Sequence, residues 1–159
     1  MGLDATVYCD CYETNRLKEP PPHPDLISVA PNGRLDCNSA DLESLLAFDQ
    51  WLLNHACEHE NGVLLHHWIG NIDLVGLLRE ELEHEALRFH ILLERVLFSG
   101  THTGDYLSLE QVSGLQGELS EMNQFVCSDE KNRHYLERFR LQMAELSEAA
   151  LSVGKPISF

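Results

Sequence analysis

The repeat distance of the apolar residues changes near residue 39, and this change constrains the fold more than any other feature. In residues 3–12, LDATVYCDCY, apolar and polar side chains alternate, which is typical of a half-buried strand. Prolines in KEPPPHPD then exclude helix and sheet interior, and ISVAPNGRLDC carries the turn residues of a hairpin. After Ser39, leucines recur at helical spacing. We therefore predict an α+β fold, in which a small N-terminal antiparallel sheet or hairpin precedes about five helices in a single domain, residues 1–159.

Capping residues mark where these helices begin and end. Asn38 or Ser39 is expected to cap a first helix that runs through the first histidines and ends by Gly62. The segment 86–98 is apolar on more than one side, which favours a central helix. Residues 63–68 fit a short strand or an extended lead-in, and a helix is the alternative left open. The remaining signals are Asn71 before the second helix, the capping box of Ser108 and Gln111, Ser128 or Asp129 before the last helix, and Gly154 after it.

The charge balance restricts the classes of partner. Lys and Arg number 11 against 26 Asp and Glu, so the formal net charge is −15 and nothing neutralises a phosphate backbone. Nucleic acid is therefore excluded as a partner, whereas a basic protein partner or a cation site fits the charge.

The same sequence indicates a cytoplasmic protein. No apolar run is long enough to span a bilayer, and the first residues lack the basic region of a signal peptide. Gly2 and Thr6 fit a loose N-myristoylation pattern, but a strand that begins at Gly2 accounts for the same residues. The five cysteines, an odd number, suit reduced thiols in a cytoplasm.

Asp49 is the first candidate catalytic residue. On a helical wheel it falls in the middle of an aliphatic stripe, so we predict that its carboxylate is buried and paired. Its partner would be an Arg, a His, a Tyr hydroxyl, a helix N-terminus or a metal. The stripe consists of Leu42, Leu45, Leu46, Leu52, Leu53 and Ala56.

Four histidines near this helix are candidate metal ligands. His55 and His59 are four residues apart, and one helix would offer both imidazoles to one ion. The zinc-protease pattern HExxH is absent, and surface histidines near a helix end are the alternative interpretation. His66 and His67 are adjacent, so in a strand they face opposite ways and at most one joins a given site.

Three further residues could assist catalysis. His102 and Asp105 lie in a glycine-flanked loop, and a carboxylate that orients an imidazole is common in active sites. The alternative interpretation is a tight turn, in which the Asp side chain stabilises the local backbone. Glu58, or Glu60, would accept a proton from a metal-bound water.

The cysteines allow two interpretations. Cys9 and Cys11 lie on one strand face and would bind zinc together with Cys37 and Cys57. The C-x-C pair followed by two distant single cysteines lacks the spacing of usual zinc knuckles, however. We therefore favour Cys9 and Cys11 as small core residues. Nothing local marks Cys57 as a nucleophile.

Four stretches resemble an uncharacterised family of short bacterial proteins that begin MGLDA. These stretches are MGLDATVYCDCYE, ACEHENGVLLHHWIGN, SGTHTGDYLS and KPISF, and together they span most of the chain. The resemblance implies a bacterial cytoplasmic protein and brings no activity. By size and charge alone, the chain also faintly resembles toxin-neutralising immunity proteins.

Three hypotheses for function follow. The first is a non-enzymatic binding or inhibitor module of the immunity type, whose acidic surface steers toward a basic partner. The alternative is a metal-dependent hydrolase or metal-binding protein that uses the His and Asp candidates with a zinc-like divalent ion. The third is a structural protein whose histidines and cysteines form a satisfied polar core. Whether the chain is an enzyme is left open.

Overall fold

A computed structural model describes residues 2–159 and confirms the α+β class. The strands form a four-stranded antiparallel sheet of order β4-β1-β6-β5 and a separate hairpin of β2 and β3. The strands are β1 Gly2–Tyr8, β2 Ile27–Val29, β3 Leu35–Cys37, β4 Val63–Asn71, β5 Tyr106–Leu107 and β6 Ile157–Ser158. The α-helices are α1 Leu42–Asn54, α2 Ile72–Glu83, α3 Leu109–Glu121 and α4 Arg133–Val153.

The predicted alternation in the first strand is confirmed, although the strand is shorter. Leu3, Ala5 and Val7 are fully buried. Strand β1 lies between β4 and β6 and ends at Tyr8. Cys9 and Cys11 therefore follow the strand rather than belonging to it. The sheet also draws on the second half of the chain, because β4, β5 and β6 complete it.

One large hydrophobic core lies between this sheet and the helices that pack on it. The segment predicted as a helix over 86–98 is central, as expected, since Phe89 and Leu92 are fully buried. Instead of one α-helix it forms a 3-10 turn, Ala86–Arg88, and a π-helical turn, Leu92–Val96. The interruption has a tertiary cause: the carboxylate of Glu118 on α3 accepts the amide N–H groups of Ile91 and Leu92 at 2.7 and 2.9 Å.

Most of the predicted caps are confirmed. The Asn71 side chain accepts the Leu74 amide, and Ser108 with Gln111 forms the capping box of α3. Gly154 ends α4 with a left-handed backbone. The start of α1 was predicted too early, because Asp41 is its cap. None of the helices in the described part of the chain is both long and apolar enough to cross a membrane.

A second, smaller cluster lies within residues 9–62, which we call the 9–62 segment. The segment leaves the sheet after β1 and rejoins it at β4, where the Cys9 amide donates to the Gly62 carbonyl at 2.8 Å. It contains the β2–β3 hairpin and α1. Its buried residues are Phe48, Trp51, Leu52 and Ala56, and its partly buried ones are Leu17, Ile27, Leu35 and Cys37.

Candidate metal centre

Strand pairing places two short motifs side by side at one end of the paired strands β1 and β4. Because β1 and β4 are antiparallel, with Tyr8 opposite Val63, the chain leaving β1 lies against the chain entering β4. The first contributes Cys9 and Cys11, and the second contributes Cys57 and His59. A C-x-C pair thus faces a C-x-H pair from the other end of the 9–62 segment.

The four side chains converge on one point. Their ligand atoms all lie within 4.8 Å of one another. The Cys9 and Cys57 sulfurs are 3.8 Å apart, and His59 Nδ1 lies 3.4 Å from the Cys11 sulfur and 3.8 Å from the Cys57 sulfur. A tetrahedral zinc ion requires about 3.8 Å between two sulfurs and about 3.6 Å between sulfur and nitrogen. The cluster could therefore hold a metal ion with little rearrangement.

Tight turns hold both motifs in place. After Cys11 the chain turns back, with Asn15 in the left-handed region at φ 57°, and the Arg16 amide donates to the Cys11 carbonyl at 2.8 Å. The second motif is followed by Asn61 and Gly62, also left-handed at φ 54° and 68°. Such backbone conformations suit Asn and Gly, so the loop residues fit the geometry that the cluster needs.

Burial shapes the chemistry of the thiols. Cys9 and Cys11 are 8% and 4% exposed, whereas Cys57 and His59 are partly exposed. Burial is the main cause that raises the pKa of Cys9 to about 12, and the neighbouring thiols raise it further. Burial also raises the pKa of Cys11. Three adjacent thiolates would repel one another in this setting, and a divalent cation is the species that offsets that repulsion.

The residues between the ligands form ion pairs. Asp10, between Cys9 and Cys11, pairs with Arg16. Glu58, between Cys57 and His59, lies 2.9 Å from Lys18, and its side chain is exposed. This exposed pairing places the predicted proton acceptor, Glu58, on the surface beside the cluster. Arg16 also lowers the energy of a negative charge at Cys11.

The prediction that His55 and His59 share a helix is wrong. Helix α1 ends at Asn54, and His55 is its C-cap residue. The His55 side chain is about half exposed and points to Glu19, with 3.3 Å between Nδ1 and the carboxylate. Of the four predicted metal ligands, only His59 belongs to the cluster.

His66 and His67 lie on β4, which settles the ambiguity of this segment in favour of a strand. They contact different elements, as expected for neighbours on a strand. His66 Nδ1 lies 3.0 Å from the Thr6 hydroxyl, and His67 Nε2 lies 2.7 Å from the Glu145 carboxylate. Neither belongs to the Cys and His cluster.

The prediction that Asp49 is buried is wrong, because its side chain is exposed. Phe48 and Trp51 face inward instead, and the Trp51 indole N–H donates to the Glu19 carbonyl at 2.9 Å. Large aromatic side chains bury more apolar area than leucines, so they set the rotation of α1. Of the stripe that surrounds Asp49, Leu42, Leu46 and Leu53 are consequently exposed, whereas Leu52 and Ala56 are buried.

His102 and Asp105 do lie close together, away from the cluster. The His102 side chain is 5% exposed, its Nε2–H donates to the Val96 carbonyl at 3.0 Å, and its Nδ1 lies 3.4 Å from Asp105. The imidazole packs between the rings of Phe98 and Phe159. These contacts anchor the loop to its surroundings.

The sequence interpretation missed the combination of ligands. Cys9 and Cys11 are buried, as expected, but they lie outside both hydrophobic clusters. Cys37 packs in the second hydrophobic cluster. His59, rather than Cys37, joins the three other cysteines. The signal available in the sequence was the matched spacing of the C-x-C and C-x-H pairs.

Comparisons of the chain with protein-family models, with curated proteins and with solved structures found no match. The resemblance to short bacterial proteins therefore stays a prediction. What can be inferred about function comes from the geometry of the cluster and from the surface of the fold.

Proposed function

We propose that the protein is a non-enzymatic zinc-binding module with a structural centre formed by Cys9, Cys11, Cys57 and His59. The observation that carries the proposal is the convergence of the four ligand atoms within 4.8 Å. Thiolate and imidazole ligands favour zinc over magnesium or calcium, which prefer oxygen.

The ligand count favours a structural role. Catalytic zinc sites keep one position open for water or substrate, whereas sites with four protein ligands are closed. Here all four positions are supplied by the chain, and two of the ligands are almost completely buried. A bound ion would supply cohesion between the two motifs rather than an activated water.

The place of the cluster explains what zinc would stabilise. The 9–62 segment begins at one ligand pair and ends just after the other, so an ion would close the base of the segment. The hydrophobic cluster inside the segment is small, with four buried side chains. A metal clamp at its base offsets part of the conformational entropy that ordering this segment costs.

The test is elemental analysis of protein purified without an affinity tag under reducing conditions. We expect about one zinc per chain, and loss of that zinc in His59→Ala. His55→Ala is the matched control, because His55 is an exposed histidine four residues away and outside the cluster. Wild-type protein that contains no stoichiometric metal, and binds none when zinc is added, would refute the proposal.

The hydrolase alternative receives less support. Asp49 is exposed on α1, and His66, His67 and His102 contact different elements rather than one cleft. We propose instead that the zinc-stabilised fold serves as a binding module for a basic partner, in a reducing compartment such as the cytoplasm. The immunity-type role is one form of that proposal.

A further inference from the structure

Helix α1 is apolar on two faces, and the chain covers only one of them. Phe48, Trp51 and Leu52 face inward. The opposite side presents Leu42, Leu46 and Leu53, which are 69%, 53% and 43% exposed. Helices with apolar residues around most of their circumference are usually buried on all sides. The outer face of α1 is therefore an unusual surface for an isolated chain.

The exposed leucines form a straight stripe. At about 100° per residue, positions 42, 46, 49 and 53 fall within roughly 60° of one another, so they line one side of a helix about 20 Å long. Asp49 occupies the third of these positions, and its side chain is exposed between Leu46 and Leu53. We call these residues, Leu42, Leu46, Asp49 and Leu53, the α1 stripe.

The charges on α1 and at its N-cap have one sign. Helix α1 contains Glu43 and Asp49 but no Lys or Arg, and its N-cap is Asp41. A second copy of the chain would bring like charges together on this face, and each copy carries a formal net charge of −15. The charges therefore disfavour self-association and favour a positively charged occupant.

We propose that the α1 stripe binds an amphipathic helix of a partner protein that carries Lys or Arg beside its apolar residues. The leucines would supply apolar area, as in other helix-on-helix docking modes. Asp49, in the middle of the leucines, selects partners that place a basic side chain opposite it. The inference names the partner of the proposed binding module and rests on that part of the proposed function, but it does not depend on the zinc centre.

A fluorescein-labelled peptide of 18 leucine and lysine residues, patterned as an amphipathic helix, is the probe. Fluorescence anisotropy measures its affinity for the protein as purified. Leu46→Ser is expected to weaken binding about tenfold. Leu141→Ser is the matched control, since Leu141 lies on α4 with 52% exposure against 53% for Leu46. Circular dichroism and urea unfolding establish that each variant is folded.

Charge is tested by Asp49→Lys against Glu148→Lys, two exposed acidic positions whose replacement changes the net charge equally. Asp49→Lys is expected to weaken peptide binding about tenfold. Glu148→Lys is expected to change peptide binding less than about twofold.

Equal losses in both variants would mean general attraction to an acidic surface and would overturn the proposal. Sedimentation that shows dimers dependent on Leu46 would overturn it too, because the stripe would then bind a second copy. A negative result in these peptide-binding experiments does not affect the elemental analysis that tests zinc binding.

Discussion

Glu81 provides a sharp test of the packing between α2 and the chain that leads into α4. The residue is 3% exposed, yet its carboxylate accepts four hydrogen bonds. The Ser128 amide and hydroxyl donate to Oε2 at 2.8 and 2.9 Å. The Asp129 amide and the Asn132 side chain donate to Oε1 at 3.4 and 2.7 Å. Glu81→Gln keeps the size and removes two of these acceptor interactions.

The expected loss of stability follows from the hydrogen-bond donors that face the Glu81 carboxylate. Burial acts to raise the pKa of Glu81, but the bonds from Asn132, Ser128 and Asp129 outweigh it and hold the pKa below its ordinary value. In the Glu81→Gln variant the side-chain amide nitrogen would face two donors, so two charge-assisted bonds are lost at about 1.5 kcal/mol or more each. We expect Glu81→Gln to lower the free energy of unfolding by about 3 kcal/mol at pH 7, or roughly 6–12 °C in Tm.

The stabilisation that Glu81 provides should depend on pH. Because the folded-state pKa is lowered, the stabilisation is complete above the ordinary value of 4.5 and is lost as the pH falls through the folded-state pKa. Urea unfolding at pH 7, 5, 4 and 3 should therefore show a difference between wild type and variant that shrinks below about pH 4.5. Glu80→Gln is the control, since Glu80 is the exposed neighbour. Equal stabilities of the two variants at pH 7 would refute the role assigned to Glu81.

Three other measurements test the zinc centre and the backbone. A strong chelator should lower the Tm of wild type by about 8–16 °C if free zinc had been near a thousand times its Kd, and should leave His59→Ala unchanged. Hydrogen exchange after chelation should accelerate in the 9–62 segment while the fully buried Phe139 and Met143 region stays protected. Gly33→Ala should destabilise more than Gly104→Ala, judged by urea unfolding. Both glycines have φ +88°, but only at Gly33 would the new Cβ lie 3.2 Å from Pro156.

Sequence patterns predicted the features whose causes are local. The alternation of β1, the hairpin turn and the capping box of Ser108 and Gln111 are confirmed, because each depends on residues close in the chain. The segment 86–98 departs from a single helix because Glu118, which caps the new start at Ile91, lies on a different helix. Helical periodicity contains no information about such a distant carboxylate.

The site and the orientation of α1 needed tertiary information. Aliphatic spacing placed the leucines around Asp49 inward, whereas Phe48 and Trp51 determine the buried face. The ligands come from opposite ends of the 9–62 segment, so only the antiparallel pairing of β1 with β4 brings them together. His59 was a predicted ligand, but its partners are the cysteines rather than His55.

The proposed zinc centre and the α1 stripe are joined by a short piece of chain. Helix α1 ends at Asn54, and Ala56, buried in the second cluster, immediately precedes the ligand Cys57. An ion held by Cys57 and His59 would restrict the end of α1 and thereby the position of the leucines on its outer face. If binding at the two places is coupled, thermodynamic linkage makes the coupling reciprocal. Zinc then changes the affinity for a basic helix by the same factor by which that helix changes the affinity for zinc.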